Sequence, residues 1–342
     1  MPRAEALTMV IHSRDSGFFS NFNCVMSNLE VLLGRDGCVA ALVDWTPHLD
    51  GSQFVYGDRQ DGNVWLHFFE PLRFANLPLT QFDVWDYPAT RGRLITGNEA
   101  YATYKFNPFW RRRYHALFSR HVTVKPYLTG RAEAIFKAHM AGKFCIGVHY
   151  RDPRHSKECP NPIPPPEVFV ERVRALQPAG RDIAVFLATD FSPAVAVFQA
   201  AFGDALVLQP TVSRVDAQAA DQMHHIRIDP SVTLGEEMLV DCLLLARCQV
   251  LLHVTSNVAT AAGYMNPRLR MVYCETRAEA WRGYNWAVAR ILALLYETSA
   301  RDLASRAAAG MRMLESWVRT GGGKPLFPLV RLLYRLGKRL SR

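Results

Sequence analysis

A short apolar run, Phe144 to Val148, ends abruptly in His149, Tyr150 and Arg151. Apolar runs of about four to eight residues before a polar cluster read as buried strands. In open α/β sheets, ligands sit beyond the carboxyl ends of the strands. An arginine delivered there offers a planar fork of donors that matches a phosphate bidentately. Alone, it is an ordinary arginine in a surface loop. Two carboxylates follow it, Asp152 and Glu158. Either can take the proton of an attacking hydroxyl; a solvated Glu158 beside Lys157 is the plainer alternative. His149 can donate to a nucleotide, although a histidine at a strand end is commonly a structural hydrogen-bonder.

Further chemistry-bearing residues lie downstream. Asp190 ends the run DIAVFLATD and either orients a ligand or caps the helix that follows. Asp241 lies in LVDCLLL, where a carboxylate on a mostly apolar helix needs a partner or an exposed stripe. Ser256 and Asn257 open a helix, whose N–H groups and dipole attract phosphate; plain N-capping by Ser256 explains that position nearly as well. There is no DxD motif and no histidine pair at ligand spacing on a helix, so no metal site is expected.

The elements that must position these residues alternate. Strands are expected at 144–148, 182–190, 205–209, 249–254 and 271–275. A helix spans 192–202, with Ser192 as N-cap and Pro193 first inside. Another spans 233–248, with acids in its first turn and Arg247 in its last. SNVATAAGYM is rich in small residues, which suits a helix packed closely on a sheet. This alternation predicts a parallel, doubly wound α/β sheet. Upstream, LTMVIHS and VAALVDW read as strands, GFFSNFN as the loop between them, and Asn28 to Leu33 as a helix. Residues 46–100 read as irregular, with aromatics available to line an acceptor groove. Residues 98–122, 130–141 and 167–176 read as helices, and 279–318 as mostly helical.

IGVHYRDPRHSKE, VFLATD and LGEEMLVDCLLLARCQVLLHVTSNVATAAGY, in that order, resemble the three motifs of the fucosyltransferase superfamily. That group includes the α-1,6-fucosyltransferases, the bacterial nodulation fucosyltransferases and the protein O-fucosyltransferases. GFFSNFN is similar to the glycine-containing first loop of those enzymes. The resemblance implies a GT-B-like fold, with two Rossmann-like domains facing across a cleft. It implies inverting, metal-independent transfer of fucose from GDP-fucose to a hydroxyl of a glycan, such as a surface polysaccharide or oligosaccharide precursor. It places the donor diphosphate on Arg151, the guanine on Asp241, and Gly17 and Asn21 opposite the nucleotide; a glutamate occurs in the bacterial motif at the spacing of Glu158. The chain departs from the pattern at Asp152, where relatives carry Arg or Gly, and at Pro153 and Arg154, where they carry Thr-Asp. It has Ser256-Asn257 where Ser-Ser or Ser-Gln is common. Another nucleotide sugar, or a non-catalytic nucleotide- or glycan-binding module, are the alternatives.

Size and charge bound the rest. The 342 residues fit about two domains. The expected division is 1–141 on the acceptor side, 142–275 for the nucleotide sugar, 276–320 as helices packing back, and a tail at 321–342. Net charge is +9, from 40 basic and 31 acidic residues. No nucleic-acid-binding motif accompanies that excess, and part of it is local, at Arg111 to Arg113 and in the tail. The seven cysteines are scattered, with no CxxC, as in a reduced cytoplasmic protein. In the tail, Leu329, Leu332, Leu333, Leu336 and Leu340 follow helical spacing and basic residues lie largely off that stripe. Peripheral contact of 324–342 with an anionic membrane is expected, against a terminal helix packed on the domain.

Overall fold

A computed structural model describes residues 7–13, 16–33, 38–47, 56–57, 59–73, 108–153, 163–211, 231–254 and 256–274. Its centre is a five-stranded parallel sheet made by β3 (Phe144–His149), β4 (Ile183–Ala188), β5 (Leu206–Val207), β6 (Val250–His253) and β7 (Arg270–Tyr273). The spatial order is β5-β4-β3-β6-β7. The chain works outward from β3 to β5, then returns to the other side of β3 with β6. Neighbouring first and fourth strands make a topological switch point, where helices leave on opposite faces and a crevice opens. His149 pairs in register with His253 there, at the carboxyl ends of both strands.

The strand positions alternate between two cores. Ile146, Val148, Val185, Leu187, Val250 and Leu252 meet α5 (Pro166–Leu176) and α6 (Ser192–Phe202). Cys145, Ala184, Phe186 and Leu251 face the side of α7 (Val232–Arg247) and α8 (Asn257–Met265). That second core continues without interruption into α3 (Pro108–His121), α4 (Pro126–His139) and the N-terminal elements. At Gly147 a Cβ would stand 3.0 Å from Leu245 and 3.1 Å from the Cys248 sulfur, so the glycine lets the end of α7 close on the sheet.

The N-terminal elements are β1 (Leu7–His12), α1 (Phe18–Leu33) and β2 (Cys38–Asp44), a parallel βαβ unit, followed by the single turn α2 (Trp65–Phe68). Here the expected loop is corrected: GFFSNFN is the first two turns of α1. Phe18, Phe19, Phe22, Val25, Met26 and Leu29 form one buried stripe at helical spacing. The asparagines that resemble loop formers turn their amides onto carbonyls, as Asn28 does to Cys24 O at 2.8 Å. The described aromatics of 46–100, Tyr56, Trp65, Phe68 and Phe69, are core as well, and the others lie outside the described residues. Trp65 stacks on Phe69 at 4.2 Å between ring centroids, and Phe18 meets Phe68 edge-to-face at 4.9 Å.

Smaller corrections concern the ends of elements. Ser192 lies inside α6 and Phe191 takes the cap position; no side chain caps that helix. Thr189 Oγ1 instead accepts from the Phe191 N–H at 3.1 Å and shapes the turn. Helix α7 has no acid in its first turn, because it starts at Val232 with Ser231 as cap and the glutamates fall a turn later. Helix α4 starts at Pro126, four residues before the expected Gly130, with the proline in its favoured first turn. The edge strand β5 is only two residues long, entered through a tight turn after Gly203, whose φ is 50°. Arg111 is not part of a solvated charge run: it is 5% exposed. No described helix is long and apolar enough to cross a membrane.

Candidate active site

The switch point gathers several of the predicted residues. Ser256 follows β6 and caps α8, accepting from the Ala259 N–H at 3.0 Å. The same hydroxyl lies 3.1 Å from His149 Nδ1. The end of β3 is therefore joined to the N-terminus of α8 through one oxygen. That junction fixes the His149 ring through Nδ1. Helix α8 presents the positive end of its dipole at this place. Arg151, half-buried, follows two residues after His149. An arginine just past one strand end and a helix N-terminus just past its neighbour are residue types suited to a diphosphate.

The neighbouring carboxylates differ in setting. Asp152 is 1% exposed and has almost no surface for an incoming hydroxyl. It lies near Tyr150, whose phenol is pushed up chiefly by burial, then by the charges of Glu167 and Asp152. Asp190 is half-buried beyond β4, in the same row of strand ends. Its charge is felt by Tyr56, a wholly buried phenol raised first by burial, whose oxygen is hydrogen-bonded by the Phe18 backbone. Tyr56 also stands 3.8 Å from where a Cβ on Gly17 would lie. Gly17, Tyr56 and Asp190 are thus close, bringing the start of α1 to the edge of the β4 end. Asn21 holds that start together: its Nδ2 donates to Ser16 O at 3.0 Å.

Asp241 approaches from α7. The next residue, Cys242, places its thiol 3.7 Å from Val258 O in the first turn of α8. Asp241 itself is half-buried on α7. Asn257, the first residue of α8, is held by Asn23 of α1 through its Oδ1 at 2.9 Å. Glu158, the other base candidate, and the basic tail 324–342 lie outside the described residues.

Three residues escaped the sequence reading. Asn23 is buried beside Asn21, and the pair looks like loop composition. Tyr56 lies far from any motif. His253, wholly buried opposite His149, has its pKa lowered to about 4, first by burial, with a smaller contribution from the Arg111 charge. Its Nδ1–H donates to Val254 O at 2.9 Å, which keeps the neutral ring in one tautomer. Only its place at a strand end gave a signal. Arg111 itself donates to the carbonyls of Pro267 at 2.7 Å and Leu269 at 2.6 Å, tying down the chain after α8.

No family model matches the chain, and no curated protein matches it by sequence. Solved structures do. The crystal structure of the fucosyltransferase NodZ from Bradyrhizobium is 18% identical, with 78% of this chain covering 96% of that one at a TM-score of 0.51. NodZ α-1,6-fucosyltransferase co-crystallised with GDP and the same enzyme soaked with GDP-fucose are each 19% identical, with 78% of this chain covering 94% of theirs, also at 0.51. At such identity the likeness is one of architecture: the chain has the α/β, GT-B-like fold of the NodZ fucosyltransferases.

Proposed function

We propose that this chain is an inverting glycosyltransferase that moves fucose from GDP-fucose to a hydroxyl of a glycan, without a metal ion. The observation that carries this is the meeting of His149, two residues before Arg151, with the capped N-terminus of α8 at the switch point. The fold is that of enzymes crystallised with GDP and GDP-fucose. In this reading 142–275 holds the nucleotide and 1–141 the acceptor side. The diphosphate lies on Arg151, His149 Nε2 and the first turn of α8 at Ser256 and Asn257. Asp241 accepts from two adjacent ring N–H groups of guanine. Gly17 and Asn21 face the nucleotide from the N-terminal side, and Asp190 orients the base or sugar.

The reaction forms a bond between the acceptor oxygen and the anomeric carbon on one face. The bond to the β-phosphate oxygen breaks on the other, and GDP leaves with the electron pair. The acceptor proton passes to a carboxylate. Because Asp152 is buried, Glu158 is the base we favour. Negative charge grows on the departing oxygen, so donors already in place there stabilise the transition state more than the ground state. With no divalent ion, the arginine and the helix terminus carry that task. A polysaccharide or oligosaccharide precursor as acceptor, and contact of 324–342 with an anionic inner membrane face, complete the proposal.

The test is a thermal-shift screen. GDP and GDP-fucose should raise the melting temperature by mass action, by about 2.7 kcal/mol of stability at a hundredfold excess over Kd. UDP and CMP should not. Asp241→Asn should weaken GDP binding, since an amide offers a donor where guanine also has one. Equal responses to UDP and GDP would defeat the donor assignment, and activity lost in EDTA but restored by magnesium would defeat the metal-free mechanism.

A further inference from the structure

A pair of asparagines ties α1 to the candidate site. Asn23 is 0% exposed. Its Nδ2 donates to two acceptors on Asn257, the side-chain Oδ1 at 2.9 Å and the backbone O at 3.2 Å. The second contact settles the orientation of both amides. A main-chain carbonyl can only accept, so Asn23 must present its NH2 group, and Asn257 must answer with its oxygen. The Asn257 amide is thereby held in one of its two flips. Its own two N–H donors stand on the other branch, on a half-exposed residue at the first position of α8. That position is the first turn of α8, at the positive end of the helix dipole.

Stability alone gives no account of Asn23. Its Oδ1 is buried with no hydrogen-bond partner, and a buried acceptor left so is costly. The surrounding stripe of α1 is aromatic and aliphatic, and an apolar side chain of the same shape would fill the position. What the amide supplies is direction at Asn257.

We propose that Asn23 is a positioning residue that locks the Asn257 amide with its N–H groups outward, so that they donate to the diphosphate of the nucleotide sugar. This rests on the function proposed above. The experiment is calorimetric titration of GDP and of guanosine into wild type, Asn23→Leu, Asn257→Ala and the double variant, with melting temperatures alongside. Asn23→Leu should lose about tenfold in GDP affinity, of the order of one hydrogen bond to a charged group. Guanosine, which has no phosphate, should bind as before, and the melting temperature should hold or rise. Asn257→Ala should lose GDP affinity to a similar degree, and adding Asn23→Leu to it should cost nothing more, because the two act through one contact. An unchanged ratio of GDP to guanosine affinity in Asn23→Leu would overturn the inference alone. So would a lower melting temperature with both ligands weakened alike, which marks a packing residue. Failure of wild type to bind GDP would overturn the proposed function and this inference together.

Discussion

Replacing Ser256 separates what holds the site from what the site does. Its single side-chain oxygen serves two partners, the Ala259 N–H at 3.0 Å and His149 Nδ1 at 3.1 Å. Losing a helix N-cap to alanine costs about 1 kcal/mol, and losing the hydrogen bond to a half-buried ring adds about 1 kcal/mol. Ser256→Ala should therefore lose about 2 kcal/mol. For a chain of this size that is a fall of about 3 °C in melting temperature. Ser256→Gly differs in an informative way. Glycine at an N-cap costs only a few tenths of a kcal/mol, because the open N–H groups can be reached by water. That variant should lose about 1 kcal/mol in all and melt about 1–2 °C low.

Both variants remove the hydroxyl that orients His149. If His149 addresses the nucleotide, they should lose the same factor in GDP affinity, about tenfold, which corresponds to about 1.4 kcal/mol. Affinity and stability would then be uncoupled across the pair. Differential scanning fluorimetry and calorimetry of GDP on the same preparations measure both quantities. Wild-type GDP affinity in Ser256→Gly would refute the reasoning. Affinity losses that scale with the loss of melting temperature would refute it too, since they would mean that Ser256 acts only by holding α8.

Arg151→Lys should lose as much turnover as Arg151→Ala, about two to three powers of ten, because lysine keeps the charge and loses the fork; near wild-type turnover in the lysine variant would make Arg151 structural. Stability should fall as pH drops from about 6.5 towards about 4, the folded-state value of His253. In that window the unfolded chain binds a proton the folded chain does not, so the slope is positive with pH, and the full effect is about 2–3 kcal/mol. Urea midpoints across the window should flatten in His253→Asn, and an unaltered slope would remove this ring as the cause. Gly235→Ala would put a Cβ 2.4 Å from Phe68 Cζ and 3.1 Å from Phe18 Cε2. Overpacking of this kind costs about 1–3 kcal/mol, so a urea midpoint equal to wild type would mean α7 is not seated on α2 as described.

The sheet was legible because its strands are short apolar runs that end in polar residues, and because amphipathic segments long enough for helices separate them. His149, Asp190 and Ser256 were found by the same rule, since a doubly wound sheet gathers strand ends. The N-terminal helix was legible only at its end, Asn28 to Leu33, and its first turns were not. Its buried face carries phenylalanines, as a loop lining a groove would, and its asparagines bond to carbonyls that no local pattern reveals. Asn23 owes its place to a contact far along the chain, with Asn257, and Tyr56 to packing against Phe18. Such partners leave no periodicity to read. Arg111 looked like one member of a basic run, yet its guanidinium is spent on three carbonyls after α8.

That arginine bears on how a diphosphate site of this design would work. Donors that stabilise developing charge are effective only if they need not reorganise when the charge appears. Helix α8 meets that condition at both ends. Its N-terminus is set by Ser256 and by Asn23, and the chain leaving its C-terminus is clamped by Arg111. Between them, Ala259, Thr260, Ala261, Ala262 and Gly263 are buried. At Gly263 a Cβ would lie 3.2 Å from Met271 and 3.4 Å from Arg111, so small residues let the clamp and β7 approach. Two of the three fixing residues, Asn23 and Arg111, come from the part of the chain before β3. The nucleotide-side sheet supplies the strand ends, but the N-terminal half supplies the rigidity of the helix that faces them. A division of labour into donor and acceptor halves is therefore incomplete as physics: the first half also holds the terminus on which the second would bind its phosphate.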